Sequence, residues 1–580
     1  MNRGSGITAD KLVVAALLAL HVALVAVGNF RHSPNLMEAA DLPAGLFHLE
    51  SGSFQLREVN PPLVRLIAAI PAKFAGATQE WRSVSSFPEK RCEFAVAQDF
   101  IEANGEQVFT LFAMSRLACI PFTVLGAGIC GIWARRLYGP WPGVLAVGLW
   151  CFDPTILGHA ATMNPDVPAA AMGITSIYFF ARWNDEPSWR RGILAALFLG
   201  LALLTRTTLW MLLPVQLVAG LWSIRKRSGG ISAFQLAAMF GGAIYLFNLG
   251  YGFEGTACPL FRFSFVSKAF GGPEAGLDAP SNRFKESALS MIPLPLPAPF
   301  VQGVDLQRFD FENSDGRFRS YLRGRWSERG WWYYYLYGLA VKWPLGTWAL
   351  ALLAVFEKLR SIFRREHSPP GELHCLICGL AILAAVSSQS GFSMHFRYVL
   401  PMFPFAFLLM SRVASSKSHA IRIVVATSFV FSTGASLASY PHTLSYFNRI
   451  AGGPANGHAH LLHSSIDWGQ DLLEFRDWIR QHGIADEITL ASTGPTPHEL
   501  LGVVKGSPPH LHWQDDGSIN PSSGPVAGWH AVSVNLLREK RYAYFLEFRP
   551  TATIGYSIWV YRLEPDTVRA YRKRNGLSAD

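Results

Sequence analysis

Apolar runs of about 20 residues, the length a helix needs to cross the hydrocarbon core of a bilayer, recur along the first three quarters of this chain. That recurrence restricts the fold more than any other feature. A soluble protein of 580 residues needs charge to cover its surface, and here 50% of residues are hydrophobic and only 16% charged. Eleven spans are expected, at about 11–30, 109–133, 141–158, 166–182, 190–205, 208–224, 231–250, 333–356, 373–387, 397–412 and 420–440. The first resembles a signal peptide, but its run is long and lacks a small-residue cleavage site, so it reads as a retained span.

Basic residues fix the orientation. With the N-terminus cytoplasmic, every second loop is cytoplasmic, and those loops carry Arg135 and Arg136, then Arg182, Arg190 and Arg191, the run beginning at Arg225, "EKLRSIFRRE", and Arg412, Lys417 and Arg422. The net charge of +10 is thus distributed among loops and forms no nucleic-acid patch. Two long loops are expected outside, about 31–108 and 251–331. The first contains "VNPPLVRLIAAIPAKFAGA", an amphipathic stretch suited to the interface. The second ends in the aromatic belt "RGWWYYYLYG". Cys92 and Cys258 fall in these loops, where a disulfide is open to them. The seven cysteines have no zinc spacing. After residue 440 the composition turns soluble: "LLEFRDWIRQHG" reads as a helix closed by Gly483, and "EITLAST", "WHAVSVNLL" and "SIWVYRLE" as strands. The fold class is therefore a polytopic α-helical membrane domain, 1–440, with a small extracytoplasmic α/β domain, 441–580.

Three cations break the loop rule. Arg206, Lys342 and Arg397 lie at external span ends or within spans, where an ionisable group is costly and marks a functional candidate. Snorkelling accounts for any one of them, but three on one side suggest a shared anionic ligand. Near the same surface lie Glu38 and Asp41, one helical turn apart, and Asp166, which opens the fourth span beside His159 and either caps that helix or serves chemistry. An enzyme moving a sugar from a lipid phosphate needs this set. A carboxylate takes the acceptor's proton, cations stabilise the departing phosphate, and the donor tail stays in lipid. All six are expected to share one hollow. In "SSIDWGQDL", Asp467, Trp468 and Gln470 have the aromatic-plus-polar look of an acceptor-binding edge, or simply form a cap and a core tryptophan.

The stretches "FHLESGSFQLREVNPPLVRLIAAIP", "FDPTILGHAATMNPDVPAA", "GLALLTRTTL", "GWWYYYLYGLAVKWPL", "FRYVLPMFPF" and "YPHTLSYFNRIAGGPANGHAHLLHSSIDWGQDLLEFRDWI" occur in this order across nearly the whole length. In them the chain resembles the bacterial relatives of the dolichyl-phosphate-mannose–protein mannosyltransferases, membrane glycosyltransferases of the C-type fold. The resemblance implies a polyprenyl-phosphate-linked sugar donor, an extracytoplasmic glycan, lipid or protein acceptor, and inverting transfer at the bacterial inner (plasma) membrane. It puts the catalytic carboxylate at Glu38 or Asp41 and a second acid at Asp166, which orients the acceptor or helps hold a divalent cation. The donor phosphate goes to Arg206, Lys342 and Arg397. Two positions depart from the family: Met37 stands where the leading acid of a pair is usual, and Asn60 where Lys or His is. No glycine loop for a nucleotide sugar is visible, and no motif demands a cofactor. The rival readings are a degenerate relative that binds lipid-linked sugar or scaffolds an envelope complex, and a lipid-sugar transporter.

Overall fold

The computed structural model describes residues 8–86, 91–227, 230–312, 319–388, 393–514 and 516–578. The first seven residues, expected on the cytoplasmic side, lie outside them. Among the described residues six helices are long and apolar enough to cross a membrane: Ala9–Arg31, Gln107–Tyr138, Thr207–Arg225, Ser232–Leu249, Phe396–Ser415 and His419–Leu437. Two bent pairs raise this to as many as eight, Pro140–Phe152 with Pro154–Ala160 (59°) and Tyr334–Lys342 with Leu345–Phe363 (115°). The other three expected spans are also helical, Asp166–Asp185, Trp189–Leu203 and Glu372–Ser388. Asp166–Asp185 is less apolar because most of its length is buried against protein rather than lipid. It packs on Gln107–Tyr138 and Trp189–Leu203.

The expected single span at 333–356 is two helices. Pro344 offers no N–H to continue a helix and disfavours helical geometry at the residue before it; Trp343 is extended. The chain turns there, so Lys342 ends the first helix instead of lying inside a span. Past the turn, Leu345–Phe363 packs tightly on His419–Leu437. A Cβ added at Gly346 would lie 2.0 Å from the Ser428 carbonyl oxygen, and Thr347 and Ser432 share a 2.6 Å hydroxyl hydrogen bond. Small residues permit this close approach.

The two ends of the bundle are chemically distinct. At one end Asp10 pairs with Arg135 and Asp185 with Arg136. Glu372 gathers Lys358, Arg412 and the Tyr138 hydroxyl. At the opposite end of Asp166–Asp185 stand Asp166 and its partners, described below. The amphipathic stretch forms the helix Leu63–Phe74, with Ala68, Ala69 and Ala72 buried and Phe74 87% exposed. Cys92 and Cys258 do not form a disulfide. Cys92 is buried against Ala44, Leu56 and Val96, away from the half-buried Cys258.

A short hairpin of β1 (Ser320–Leu322) and β2 (Arg325–Ser327) ends the second long loop. The C-terminal region holds a four-stranded sheet of β3 (Ile488–Ala491), β4 (Gly528–Ser533), β5 (Ala552–Ile554) and β6 (Ile558–Leu563), in the order β3-β4-β6-β5. β3 runs parallel to β4, and the other pairs are antiparallel. The helix Leu472–His482 closes at Gly483, whose φ of 65° is the left-handed cap that glycine adopts freely. Its Leu472, Phe475 and Ile479 pack against Ile488, Leu490 and Val560 of the sheet.

Candidate active site

Asp166 is the first residue of its helix, but its carboxylate does not cap. Oδ1 pairs with Arg206, which follows the helix Trp189–Leu203, and Oδ2 with Arg397 Nη1 at 3.0 Å. All three side chains are buried. Aromatic faces complete the setting. Arg206 lies 4.8 Å from the Tyr398 ring centroid, and Arg397 lies 4.2 Å from the Trp468 ring. Arg397 Nε also donates to Ser464 Oγ (3.2 Å), whose hydroxyl contacts His395 Nδ1 at 2.9 Å. Two guanidiniums on one carboxylate leave surplus positive charge. Just before Asp166, His159 Nδ1 and both polar side-chain atoms of Asn164 are buried without a hydrogen-bond partner among the described residues, an uncommon state for buried polar groups.

The six charged residues do not converge as one set. Lys342 is buried nearby, but its ammonium donates to the Leu444 and Ser465 carbonyls (2.8 and 2.7 Å) and lies over the Phe447 ring. It adjoins the arginines through the backbone neighbours Ser464 and Ser465. Glu38 belongs to a different arrangement. Asn35 opens the helix Leu36–Ser51 with a capping box: its Oδ1 accepts from Met37 and Glu38 N–H, and Glu38 Oε2 accepts from Asn35 N–H. Arg116 grips both Glu38 oxygens, at 2.8 and 2.7 Å, and Met163 N–H donates to Oε1 at 2.9 Å. Glu38 is 0% exposed. It therefore ties the first loop to the turn that presents Asp166.

Asp41 differs. Its Oδ1 accepts from Arg57 Nε at 3.1 Å and lies 3.8 Å from Arg65, while Oδ2 makes no hydrogen bond among the described residues. Arg57 also reaches Glu93 (3.2 Å), and Arg91 links Glu93 to Asp310. Burial opposes the Glu93 charge, but Arg57 and Arg91 outweigh it and hold the carboxyl below the usual range.

Of the three candidates in "SSIDWGQDL", Asp467, Trp468 and Gln470, only Trp468 reaches an arginine, next to the Ser464 hydroxyl that opens the segment. Asp467 Oδ1 accepts from Gly469 N–H at 2.9 Å, and Oδ2 accepts from Thr493 and Ser533 hydroxyls. Burial raises this carboxyl to about 6. Gln470 Oε1 accepts from Trp468 N–H, and its Nε2 donates to Asp471. Asp467 and Gln470 thus fold the segment that places Trp468. Sequence reasoning missed Arg116, His395, Tyr398 and Ser464. Arg116 had a readable signal, a cation within an apolar run, the same one that singled out Arg206. Ser464 had none, since a serine pair in a polar segment is unremarkable.

An apolar cavity of about 190 Å³ is lined by Thr207, Thr208 and Met211, which follow Arg206 in the chain, and by Ile382, Val386 and Pro401.

Residues 108–248 match the family model described as dolichyl-phosphate-mannose-protein mannosyltransferase, so the family read from the motifs is the one this stretch matches. The stretch contains Arg116, Asp166 and Arg206. Among solved structures, the chain is similar to ArnT from Cupriavidus metallidurans bound to undecaprenyl phosphate, with 14% identity and a TM-score of 0.43 over 95% of this chain and 98% of that one. It is also similar to an oligosaccharyltransferase from Archaeoglobus fulgidus in the apo form, with 12% identity and a TM-score of 0.41 over 85% of this chain and 64% of that one. No curated protein sequence matches the chain.

Proposed function

We propose that this chain is an integral membrane glycosyltransferase that takes a sugar from a polyprenyl phosphate and passes it to an extracytoplasmic acceptor. The observation that carries the reading is the surplus positive charge of Arg206 and Arg397 on Asp166, buried under Tyr398 and Trp468, with an apolar cavity lined by chain neighbours of both arginines, Thr207 and Pro401. A phosphate monoester on an isoprenoid tail matches both halves of that site. Its oxygens take the guanidiniums, and the start of its tail takes the cavity.

Asp41 is the better base of the two sequence candidates, because Glu38 has both oxygens held by donors while Asp41 keeps one unbonded. In the proposed step the acceptor hydroxyl gives its proton to Asp41 and its oxygen attacks the anomeric carbon. The bond from that carbon to the phosphate oxygen breaks, and the electron pair leaves with the phosphate, stabilised by Arg206 and Arg397. Attack opposite the leaving group inverts the configuration. His159 Nδ1 and the Asn164 amide, unbonded among the described residues, would hydrogen-bond acceptor or phosphate. Asp166 keeps the arginines spaced and would orient the acceptor through them, since both its oxygens are paired and neither is left for a divalent cation.

A second reading, lipid-phosphate binding without turnover, is favoured by the full occupation of Glu38 and Asp166. Undecaprenyl phosphate binding and transfer from labelled polyprenyl-phosphate sugars, measured on the purified protein, separate the two. Arg206→Ala and Arg397→Ala are expected to weaken lipid binding by at least about tenfold, one lost charge-assisted contact each. Asp41→Asn is expected to leave binding intact and to slow transfer by about 10²–10⁴-fold. Binding with no transfer by the wild type establishes the second reading. Unchanged transfer in Asp41→Asn removes Asp41 as the base.

A further inference from the structure

Away from the arginines, three ligand-type side chains from distant parts of the chain meet where the first loop touches the C-terminal segment. His32 directly follows the helix Ala9–Arg31, His442 lies just past the helix His419–Leu437, and Asp471 precedes Leu472–His482. One ligand atom from each falls within 4.8 Å of the other two.

The surroundings are those of a metal centre. His442 Nδ1 lies 2.9 Å from Asp471 Oδ1, and its other ring nitrogen, Nε2, lies 3.1 Å from Glu474 Oε2. A metal-binding imidazole characteristically gives its second N–H to a carboxylate, which fixes its tautomer and orientation. Asp471 Oδ2 is held in turn by Gln470 Nε2 (2.7 Å) and Ser557 Oγ (2.6 Å). An ion pair alone accounts for His442, but not for His32. That imidazole is 5% exposed, and its Nε2 is buried with no hydrogen-bond partner among the described residues, a loss that needs a compensating bond. The backbone around it is already locked, with Ser33 Oγ donating to Gly469 O (2.6 Å) and accepting from Leu472 N–H (3.0 Å).

We propose that His32, His442 and Asp471 bind one divalent transition-metal ion of the zinc class, with water in the remaining position and Glu474 orienting His442. Two imidazoles and one carboxylate suit such an ion, whereas magnesium and calcium take sites built from oxygen. The ion clasps the first loop to the turn that carries Trp468, and so holds that ring over Arg397. The proposal stands on these residues alone and is independent of the glycosyltransferase reading.

The test uses the full chain purified through a histidine-free tag, stripped with EDTA and titrated with zinc sulfate, with metal content and thermal midpoint as readouts. The wild type is expected to retain one zinc per chain and to melt several degrees higher with it. His32→Ala breaks no hydrogen bond, so without zinc it is expected to melt as the wild type does. It is expected to lose the zinc-dependent shift and at least about tenfold in affinity, and Glu474→Gln is expected to weaken binding by about tenfold. A wild type that retains no zinc overturns the proposal. So does a His32→Ala protein that holds as much zinc as the wild type, which makes the ion adventitious.

Discussion

Both oxygens of Glu38 are committed to donors from three elements, and Arg116 places its guanidinium between Glu38 and the Asn29, His32 and Ser33 carbonyls. Removing one partner of so buried a pair strands the other. Arg116→Met is expected to destabilise the protein by about 3–5 kcal/mol. The double variant Arg116→Met/Glu38→Gln is expected to cost less than the sum of the two single variants, because neither charge is then left unpaired. Thermal unfolding in detergent checks both. Asp467 gives a pH signature. Its buried carboxyl titrates near 6 against 3.8 unfolded, so the unfolded chain loses that proton first. Its contribution to stability therefore falls as pH rises from about 4 to 6, by up to about 3 kcal/mol, and the penalty is complete above that window. Asp467→Asn is expected to flatten this slope. An unchanged slope excludes Asp467 as its source.

At the scale of elements, apolar runs located helix at every expected span, because burial in lipid or protein requires a continuous hydrophobic run whatever the neighbours are, but the spans expected at 141–158 and 333–356 are each two helices. Continuity between runs was less legible. The run through 333–356 is unbroken in hydrophobicity, and only Pro344 marked the place where the chain turns by 115°. Packing after the turn depends on Gly346, whose missing side chain lets Leu345–Phe363 lie against the backbone at Ser428. Gly346→Leu is expected to force these helices apart and destabilise by about 1–3 kcal/mol, read as a lower midpoint. Gly434→Ala is the control. It lies on the partner helix, where an added Cβ meets nothing within 4 Å, and it is expected to be neutral or slightly stabilising.

For the whole molecule, the decisive contacts cross from the helical bundle into the segment after residue 440. Lys342 donates to Leu444 and Ser465, Arg397 reaches Ser464, and Gly158 has room for no side chain against Leu444. A chain ended at Tyr440 leaves two buried cations without these partners, at about 1–3 kcal/mol each. It is expected to be lost from the monodisperse fraction in size-exclusion chromatography, and Lys342→Met to recover part of it. A truncated chain that is as monodisperse as the full one contradicts this account. The sequence by itself determined the helical runs, three of the four strands of the C-terminal sheet, the Gly483 cap and the exceptional placement of Arg206, Lys342 and Arg397, since each follows from local periodicity or from the cost of charge in an apolar run. Only the tertiary structure decided that Asp166 takes two arginines, that Glu38 belongs to Arg116, and that Lys342 binds backbone. Which acid meets which cation depends on helix ends far apart in sequence arriving at one place, and no local pattern records that arrival.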